Sequence, residues 1–488
     1  MVDDTSEFSE LRAQIRRTMG GTTKVRALHL SGKRTARDHI AAICDDGSFT
    51  EIGTQAGMPA GGSPATAGDG RICGHGTVSG RGVAFIADDV TVKRASSTAL
   101  NARKTERLVH QARVAGEPIV YFGEAGGARL PDVLHGDVFA SEPIYPWLFD
   151  PERPPLVTAI VGQSYGGSSF IASRSDVVVM LEGSVMALTS PRVIQIATGA
   201  TISDDALGGA QVVARKTGVV DIVASTLEEL DDSLRSAIDL LTRPIGPSMP
   251  TTSPPQDLRL LVPERETETY DMAAIVAAVV DGGIFLELGR LRGPSLLTGL
   301  GRVAGRVVGV VASQPRSESG ALSPAACEKA IRLMRLCERF GCPVIYLVDT
   351  PGFQVGPDVE HNGMLERAMD LIGTNTATRC PVMTVVIRKA FGLAFFAMCS
   401  PAHGGDLVVA WPDATIGFMA PEVAANVLYA EELEGLQGER RLRRLSERAH
   451  ELGSGSSAMD VAAAMGIDEI IDPTETVTAI RRFVGMCP

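Results

Sequence analysis

The chain carries one motif twice, as Pro118-Ile-Val-Tyr-Phe-Gly-Glu-Ala-Gly-Gly-Ala-Arg-Leu130 and as Pro343-Val-Ile-Tyr-Leu-Val-Asp-Thr-Pro-Gly-Phe-Gln-Val355. Each copy opens with a proline, continues as an apolar run of strand length and ends in a turn rich in small residues. The second copy begins 225 residues after the first. A repeat of this period predicts that one domain has been duplicated in tandem.

Other segments repeat in the same order, at a spacing that drifts slowly along the chain. The further pairs are Phe49-Thr-Glu51 with Phe285-Leu-Glu287, Gly76-Thr-Val-Ser-Gly-Arg81 with Gly301-Arg-Val-Ala-Gly-Arg306, Thr158-Ala-Ile-Val161 with Thr384-Val-Val-Ile387, Tyr165-Gly166 with Phe391-Gly392, Asp176-Val-Val-Val179 with Asp406-Leu-Val-Val409, and Gly218-Val-Val-Asp-Ile-Val223 with Gly466-Ile-Asp-Glu-Ile-Ile471. In both copies apolar runs of strand length alternate with segments of helical periodicity. This alternation predicts an α/β fold built from βαβ units.

Composition marks the boundary between the two copies. The segment from Pro244 to Val262 is rich in proline, and repeated proline can sustain neither a helix nor a central strand. We therefore expect a first domain at residues 1–243, a linker at 244–262 and a second domain at 263–488.

Charge and residue usage exclude several classes of function. The net charge of −12 argues against nucleic acid as the main ligand. The eight cysteines and eight histidines lack the spacing of metal ligands, and free thiols are typical of a reducing compartment. The N-terminus does not resemble a signal peptide, and the apolar runs are too short to cross a bilayer. We expect a cytoplasmic protein without a bound metal.

Local patterns predict several elements outside the repeated motif. Residues 76–87 alternate like a hairpin with a turn at Ser79-Gly80, and residues 97–114 have the periodicity of a helix. Ser323-Pro324 is a helix start, with serine as the N-cap and proline at the first helical position. The highly charged stretch 431–452 predicts one surface helix.

The turns after the apolar runs predict where chemistry takes place. A turn of small residues between a buried strand and a helix exposes backbone N–H groups at the positive end of the helix dipole. Such groups suit an oxyanion, and this description fits two segments: Gly126-Gly127-Ala128 in the first copy and Gly392-Leu393-Ala394 in the second. The alternative is that these small residues only relieve crowding.

A different reaction is suggested by Gly162-Gln-Ser164-Tyr-Gly166, which matches the nucleophile elbow of serine hydrolases. His361 and His403 lie further along the chain. The second copy has Ala390 at the position of the serine, so the repeat keeps the segment without the nucleophile. A serine hydrolase that uses Ser164 remains an alternative on this pattern.

A set of longer motifs runs through both copies. These are Gly126-Gly-Ala-Arg-Leu130, Leu207-Gly-Gly-Ala210, Leu261-Val-Pro263 with Tyr270-Asp-Met272, the helix from Lys329 to Gly341, Val348-Asp-Thr-Pro-Gly-Phe353, Arg388-Lys-Ala-Phe-Gly392 and Trp411-Pro-Asp-Ala414. Together they resemble the carboxyltransferase (beta) subunits of biotin-dependent acyl-CoA carboxylases of the acetyl-/propionyl-CoA type. The resemblance extends from about Ala36 to Val484. It implies a tandem duplication of two crotonase-like (ClpP/crotonase) ββα-superhelix domains, with acyl-CoA on the N-terminal one and biotin on the C-terminal one.

The resemblance also implies a reaction and the residues that serve it. Carboxybiotin releases CO2, its ureido nitrogen takes the α-proton of an acyl-CoA, and the resulting enolate attacks CO2. The implied catalytic residues hold the two anions on backbone amides: Gly126 and Gly127 for the enolate, and Gly392, Leu393 and Ala394 for the biotin oxygen. The implied substrate-binding residues are Ala128, Arg129, Tyr165, Gly166, Gly167 and Phe396, with Lys93 and Arg94 at the CoA phosphates or, alternatively, as a solvated pair.

The partners follow from the same resemblance. Biotin and its carboxylation are expected from other chains, a biotin carboxylase and a biotin carboxyl carrier protein. A homo-oligomer, a hexamer in this family, is expected to place each active site between the N-terminal domain of one subunit and the C-terminal domain of another. Leu393 replaces a glycine that is usual in the family, and Phe396 is expected to alter the acyl pocket.

Two further alternatives share this fold. One is an acyl-CoA decarboxylase, since carboxylation and decarboxylation use the same anion sites. The other is a non-catalytic partner of a true carboxyltransferase, which the departures in the second half suggest.

Overall fold

The computed structural model describes residues 4–58, 64–130, 132–136, 145–242, 257–265, 268–453 and 455–487. The chain divides into two compact units, Met1–Thr242 and Arg243–Pro488. Most of the expected linker, residues 244–256, lies outside the described residues.

The first unit is a mixed sheet covered by helices. Its strands are β1 (Thr50–Ile52), β2 (Arg71–Val78), β3 (Arg81–Asp88), β4 (Ile119–Gly126), β5 (Leu156–Tyr165), β6 (Val177–Leu181), β7 (Val185–Ala187) and β8 (Ile222–Ala224). Its described helices are α1 (Asp4–Thr18), α2 (Thr22–Leu30), α3 (Ala36–Ile43), α4 (Ala99–Ala115), α5 (Gly167–Ser173), α6 (Pro191–Thr198), α7 (Asp204–Gly208), α8 (Ala210–Lys216) and α9 (Leu227–Thr242).

The second unit repeats this plan. Its strands are β9 (Phe285–Glu287), β10 (Leu296–Val303), β11 (Arg306–Ser313), β12 (Val344–Thr350), β13 (Val382–Phe391), β14 (Leu407–Ala410), β15 (Thr415–Gly417) and β16 (Glu469–Ile470). Its described helices are α10 (Met272–Val279), α11 (Pro324–Phe340), α12 (Pro357–His361), α13 (Met364–Ala377), α14 (Leu393–Ala397), α15 (Pro421–Leu428), α16 (Ala430–Glu434), α17 (Gly438–Leu452), α18 (Ala458–Ala463) and α19 (Thr476–Met486).

Both sheets have the same order of strands. The first runs β1-β2-β3-β4-β5-β6-β8 with β7 beside β5, and the second runs β9-β10-β11-β12-β13-β14-β16 with β15 beside β13. In each, the first three strands are antiparallel and the later pairs are parallel. The central parallel strands are continuous apolar runs because both of their faces are buried.

Several local predictions are confirmed and one is wrong. The hairpin turns at Ser79-Gly80, and the helix predicted at 97–114 is α4, capped by the Thr98 side chain. Ser323 caps α11 by accepting from the Ala326 N–H. The single helix predicted for 431–452 is instead two, α16 and α17, with residues 435–437 between them and glycine on both sides of the break, at Gly435 and Gly438. Glycine at the break favours separate helices over one continuous element.

A buried ion pair joins β2 to β3 in the first unit. The Arg71 guanidinium donates to Asp88 Oδ1 from Nε at 3.1 Å and from NH2 at 2.8 Å, and neither side chain is exposed. The remaining guanidinium nitrogen, NH1, donates to Thr105 Oγ1 at 3.0 Å. The Tyr121 hydroxyl donates to Asp88 Oδ2. Each charge therefore depends on the other for compensation within the sheet.

We predict that Asp88→Ala lowers the free energy of unfolding of the first unit by about 3–5 kcal/mol, because it leaves the buried Arg71 cation without a partner. The measurement is a urea titration followed by Trp147 fluorescence in a Trp411→Phe background, where Trp147 is the only tryptophan. The control is Asp150→Ala, which removes an exposed partner of Arg113 and should cost about 0–1 kcal/mol. Equal losses from the two variants would contradict the prediction.

Candidate functional site

In the first unit, the ends of β4 and β5 bring two glycine turns together. Gly126 is in register with Tyr165, the last residue of β5. Gly127 has φ 94° and Gly166 has φ 65°, conformations that favour glycine. A Cβ on Gly166 would lie 3.7 Å from the Gly127 Cα, so the two backbones approach closely. Main-chain atoms of Gly126, Gly127 and Gly166 therefore line this edge of the sheet, and we call this surface the glycine cradle.

The turn after β5 presents N–H groups at the start of a helix. The Gly166 N–H donates to the Leu188 carbonyl oxygen at 3.2 Å, and Gly167 is the first residue of α5. The N–H groups of Gly167 and Ser168 have no acceptor within the helix, because the first turn has none to offer. No side chain caps this helix. Both N–H groups are therefore oriented to bind an acceptor.

The turn after β13 in the second unit has the same backbone. Gly392 has φ 64° and ψ −154°, and Gly166 has φ 65° and ψ −124°. Leu393 and Ala394 open α14, and that helix also lacks a side-chain cap. The Gly392 N–H itself donates to the Gly417 carbonyl oxygen at 2.9 Å. The Gly392 N–H is therefore already bonded within the unit, and Leu393 and Ala394 carry the N–H groups at the helix start; anion binding by these residues stays a prediction.

The sheet topology confirms the pairing of Tyr165-Gly166 with Phe391-Gly392 that the repeat predicts. Gly167 and Ser168 are the structural counterparts of Leu393 and Ala394, because each pair opens the short helix that follows the fifth strand of its sheet. Gly126 and Gly127 correspond instead to Pro351 and Gly352, beside these helix starts. The sequence predicts Gly126-Gly127-Ala128 as the anion-binding turn of the first copy, whereas the counterpart of the second-unit turn lies one strand further along, at Gly167 and Ser168.

The residues after Gly127 hold the turn in place. Ala128 forms a bridge with Ser97, and the Arg129 N–H donates to the Ser97 carbonyl oxygen at 3.0 Å. The Arg129 guanidinium contacts Asp69 and donates to the Ser96 carbonyl oxygen at 3.1 Å. Both partners belong to the first unit, so in this structure Arg129 stabilises the turn at Gly127.

Lys93 and Arg94 lie in a left-handed turn next to the same cradle. Their φ values are 50° and 55°, and both side chains are exposed. The Arg94 guanidinium donates to Gln163 Oε1 at 3.1 Å, and a Cβ on Gly126 would lie 3.3 Å from the Arg94 Cβ. The second unit has the same turn at Glu318 and Ser319. The basic pair is therefore specific to the first unit.

Tyr165 is a structural donor at the end of β5. Its hydroxyl donates to Asp204, and the side chain is almost fully buried. Burial, reinforced by the Asp204 carboxylate, raises the pKa of Tyr165 well above its usual value. The phenol therefore stays protonated and is not a base.

In the second unit, apolar side chains surround the helix start. The Leu393 side chain is 50% exposed, and the Phe396 ring lies 4.7 Å from the His403 ring, between centroids. Of the predicted residues, Leu393 and Phe396 are both exposed, whereas the Ala394 side chain is buried.

Two hydroxyl groups near the first-unit turn were missed by the sequence analysis. A Cβ on Gly167 would lie 3.1 Å from Ser97 Oγ and 2.8 Å from Tyr145 Oη. Ser97 Oγ is buried and has no hydrogen-bond partner. The second unit has Leu322 at the position of Ser97, in the equivalent bridge. The difference between the copies at this position is the signal that could have identified the serine.

The structure argues against Ser164 as a nucleophile. Ser164 Oγ is fully buried, donates to Ser168 Oγ at 2.7 Å and lies 3.3 Å from Ser169 Oγ. Its described partners are serines, and a hydrolase needs a basic partner for its serine.

The part of the chain that the structure describes contains no group of three or more His, Cys, Asp or Glu residues arranged to hold a metal ion. Within the same residues, no helix is long and apolar enough to span a membrane.

Comparisons with known proteins agree with this architecture. The family model for the carboxyl transferase domain matches residues 27–486. The methylmalonyl-CoA carboxyltransferase 12S subunit of Propionibacterium freudenreichii subsp. shermanii is 32% identical, over 96% of this chain and 91% of that protein. The propionyl-CoA carboxylase beta chain of Saccharopolyspora erythraea is 33% identical, over 96% and 90%. A crystal structure of transcarboxylase 12S, a hexamer with methylmalonyl-CoA and methylmalonic acid bound, matches with a TM-score of 0.88 at 30% identity, over 99% of this chain and 94% of that one.

The chain belongs to the carboxyl transferase family of the acyl-CoA carboxylases and transcarboxylases. The resemblance inferred from the motifs is confirmed, and so is the fold of two tandem crotonase-like domains.

We predict that Ser164→Ala leaves any hydrolysis of p-nitrophenyl acetate unchanged and lowers the free energy of unfolding by only about 0.5–1.5 kcal/mol, the value of one neutral hydrogen bond. Ester hydrolysis followed by absorbance, with urea unfolding in parallel, tests this. Ser173→Ala, at an exposed serine at the end of α5, is the control. If ester hydrolysis is lost in Ser164→Ala and kept in Ser173→Ala, the protein is a serine hydrolase that uses Ser164.

Proposed function

We propose that this protein is the carboxyltransferase component of an acyl-CoA carboxylase, which transfers CO2 from carboxybiotin to the α-carbon of an acyl-CoA. One observation carries the proposal: both units contain the same turn, in which a left-handed glycine presents two helix-start N–H groups. The reaction passes through two anionic oxygens, and each turn suits one of them. Membership of the family makes this the favoured chemistry for the pair.

The first-unit turn is proposed to hold the thioester oxygen. Gly167 and Ser168 supply N–H groups, and Gly127 lets the substrate approach because it has no side chain. The unpaired Ser97 hydroxyl is available as a further donor. Main-chain donors that are already in position stabilise the enolate more than the starting thioester, because negative charge develops on this oxygen during the reaction.

The second-unit turn is proposed to hold the ureido oxygen of biotin. The residues fit this group, since Leu393 and Ala394 offer two N–H donors and Leu393 with Phe396 offers an apolar wall for the bicyclic ring. When bound, carboxybiotin supplies CO2 and a nitrogen that accepts the α-proton. The chain then needs only to hold and orient the two reactants. Tyr165 stays protonated and does not act as a base.

Arg94 and Lys93 are proposed to contact the phosphates of coenzyme A. They lie beside the first-unit cradle, and the equivalent turn of the second unit carries Glu318 and Ser319. A basic pair in one copy alone is expected if the acyl-CoA binds only to that copy.

The protein is proposed to work with other chains. Biotin would be carried by a biotin carboxyl carrier protein and carboxylated by a biotin carboxylase. The 12S structure is described as a hexamer, and this supports a homo-oligomer here, with a hexamer as the proposed state.

We predict that Leu393→Pro lowers kcat for carboxyl transfer on the order of 10²–10³-fold, the usual effect of losing one oxyanion donor. Proline removes the N–H together with the leucine side chain, and it is tolerated at the first position of a helix. Leu393→Ala, which keeps the N–H, should retain activity to within a few-fold. The measurement is steady-state kinetics with the circular dichroism spectrum as a folding check. Equal losses in the two variants would contradict a role for this amide.

We predict that Arg94→Gln raises KM for the acyl-CoA roughly tenfold or more, from loss of a hydrogen bond to a charged phosphate. It should leave KM unchanged for the acyl-pantetheine thioester, which lacks the nucleotide phosphates. The matched control is Arg103→Gln, which removes an exposed arginine from α4. If Arg94→Gln impairs both thioesters alike, the arginine does not act on phosphate.

The direction of the reaction is tested with a carboxylated acyl-CoA and free biotin. Loss of the carboxylate only when biotin is present supports the carboxyltransferase. Loss without biotin would identify a decarboxylase of the same fold, and no turnover with malonyl-CoA or methylmalonyl-CoA would support a non-catalytic partner.

A further inference from the structure

A cavity of about 230 Å³ lies in the first unit, away from the glycine cradle. Glu124 of β4, Gly162 of β5 and His39 of α3 are among its lining residues, together with the turn at 181–184. The cavity holds the volume of several water molecules, since one occupies about 30 Å³ in the liquid. The proposed carboxyl transfer gives it no role.

The duplication identifies what fills this place in the second unit. Glu124 and Gly162 lie where the register between β4 and β5 shifts, in a β-bulge. The β12–β13 ladder has the same shift, and it contains Asp349 and Arg388. Glu124 therefore corresponds to Asp349, and Gly162 corresponds to Arg388. The second unit has an acidic residue paired with an arginine at these two positions. The first unit has an acidic residue and a glycine.

In the second unit the arginine is buried and hydrogen-bonded. Arg388 donates from Nε to Asp349 Oδ2 at 3.0 Å, and the Asp349 side chain is not exposed. A second nitrogen of the guanidinium donates to the carbonyl oxygens of Glu268 at 2.9 Å and Arg265 at 3.3 Å. The cation lies 5.1 Å from the centre of the Tyr270 ring. A carboxylate and main-chain carbonyls together form a guanidinium site.

In the first unit the acid has no such side chain beside it. The Glu124 side chain bends over Gly162, where a Cβ would lie 2.1 Å from Glu124 Oε1. Burial raises the pKa of Glu124 to about 7, and the charge of Lys33 opposes this rise without cancelling it. Of the two basic residues that line the cavity, Arg34 is held by Asp231 at 2.9 Å and Lys33 is exposed to water.

His39 provides a buried nitrogen without a hydrogen-bond partner. Its side chain is only 4% exposed, its ring stacks on Phe122, and its Nδ1 has no hydrogen-bond partner. Burial, with the nearby Arg34 charge, lowers the pKa of His39 to about 4, so the ring is neutral near pH 7. A neutral imidazole accepts a hydrogen bond at one nitrogen. A buried polar atom without a partner calls for an explanation, and a bound donor would supply one.

The loop before α3 contributes a residue at the matching position of the chain. Glu268, which accepts from Arg388, lies four residues before the first residue of α10. Gly32 lies four residues before the first residue of α3 and lines the cavity. The first unit thus keeps the acid and the loop of the guanidinium site but not the arginine.

We propose that this cavity binds a small guanidinium-bearing ligand, held by the Glu124 carboxylate, His39 Nδ1 and the Gly32 carbonyl group. The ligand takes the position that the Arg388 side chain takes in the second unit. It supplies N–H donors to three acceptors and neutralises a buried carboxyl group. This binding site is separate from the proposed carboxyl transfer and does not depend on it.

The test is saturation-transfer NMR of the full-length protein with methylguanidinium at low millimolar concentrations. We expect saturable binding of methylguanidinium. Urea, which has a similar shape without the charge, and tetramethylammonium, which has the charge without N–H donors, should bind at least tenfold more weakly.

Two variants locate the binding. Glu124→Gln should weaken it at least tenfold, and Glu152→Gln, which removes an exposed carboxylate, should leave it unchanged. The double variant Glu124→Asp with Gly162→Arg rebuilds the pair found in the second unit and should abolish binding, because a side-chain guanidinium then fills the cavity. Its thermal unfolding temperature should be at least that of the parent protein.

The proposal is overturned if methylguanidinium does not bind saturably, or if urea binds as tightly. It is also overturned if a folded double variant binds as the parent does. This last comparison decides the matter even if Glu124→Gln does not fold.

Discussion

The structure depends on one backbone constraint, which is met twice. The long central strand of each sheet must turn into a helix within one residue, and it does so through a glycine with φ near +65° at Gly166 and Gly392. The glycine N–H remains bonded to a neighbouring carbonyl group in both units. The next two N–H groups open the helix and have no acceptor within it. The same constraint that ends the strand therefore creates a donor pair for an anionic oxygen.

Around this shared backbone, the side chains of the two copies have diverged. The first unit has Ser97 at the position of Leu322, and Arg94 at the position of Ser319. It therefore surrounds its turn with hydrogen-bond donors and positive charge. The second unit instead presents the half-exposed Leu393 at its own turn. A duplicated backbone with different side chains suits a reaction that must hold two different molecules in the same way.

Much of this could be read from the sequence because it depends on local patterns. Continuous apolar runs such as Ile119 to Phe122 identified the central strands, since a parallel strand buries both faces. The N-cap at Ser323 identified the start of α11 for a similarly local reason. The break between α16 and α17 was missed, because charge periodicity continues across it while the glycines interrupt the backbone.

The sequence by itself determined the duplication, the fold class and the family, because the repeated motifs and their spacing do not depend on how the chain packs. Only the tertiary structure decided which main-chain N–H groups at these turns already have an internal acceptor. It shows the Gly392 N–H bonded to Gly417, Ser164 buried among serines, and Gly162 facing Glu124 where its counterpart is an arginine. Hydrogen-bond partners and cavities arise from residues that are distant in the chain, and no local pattern records them.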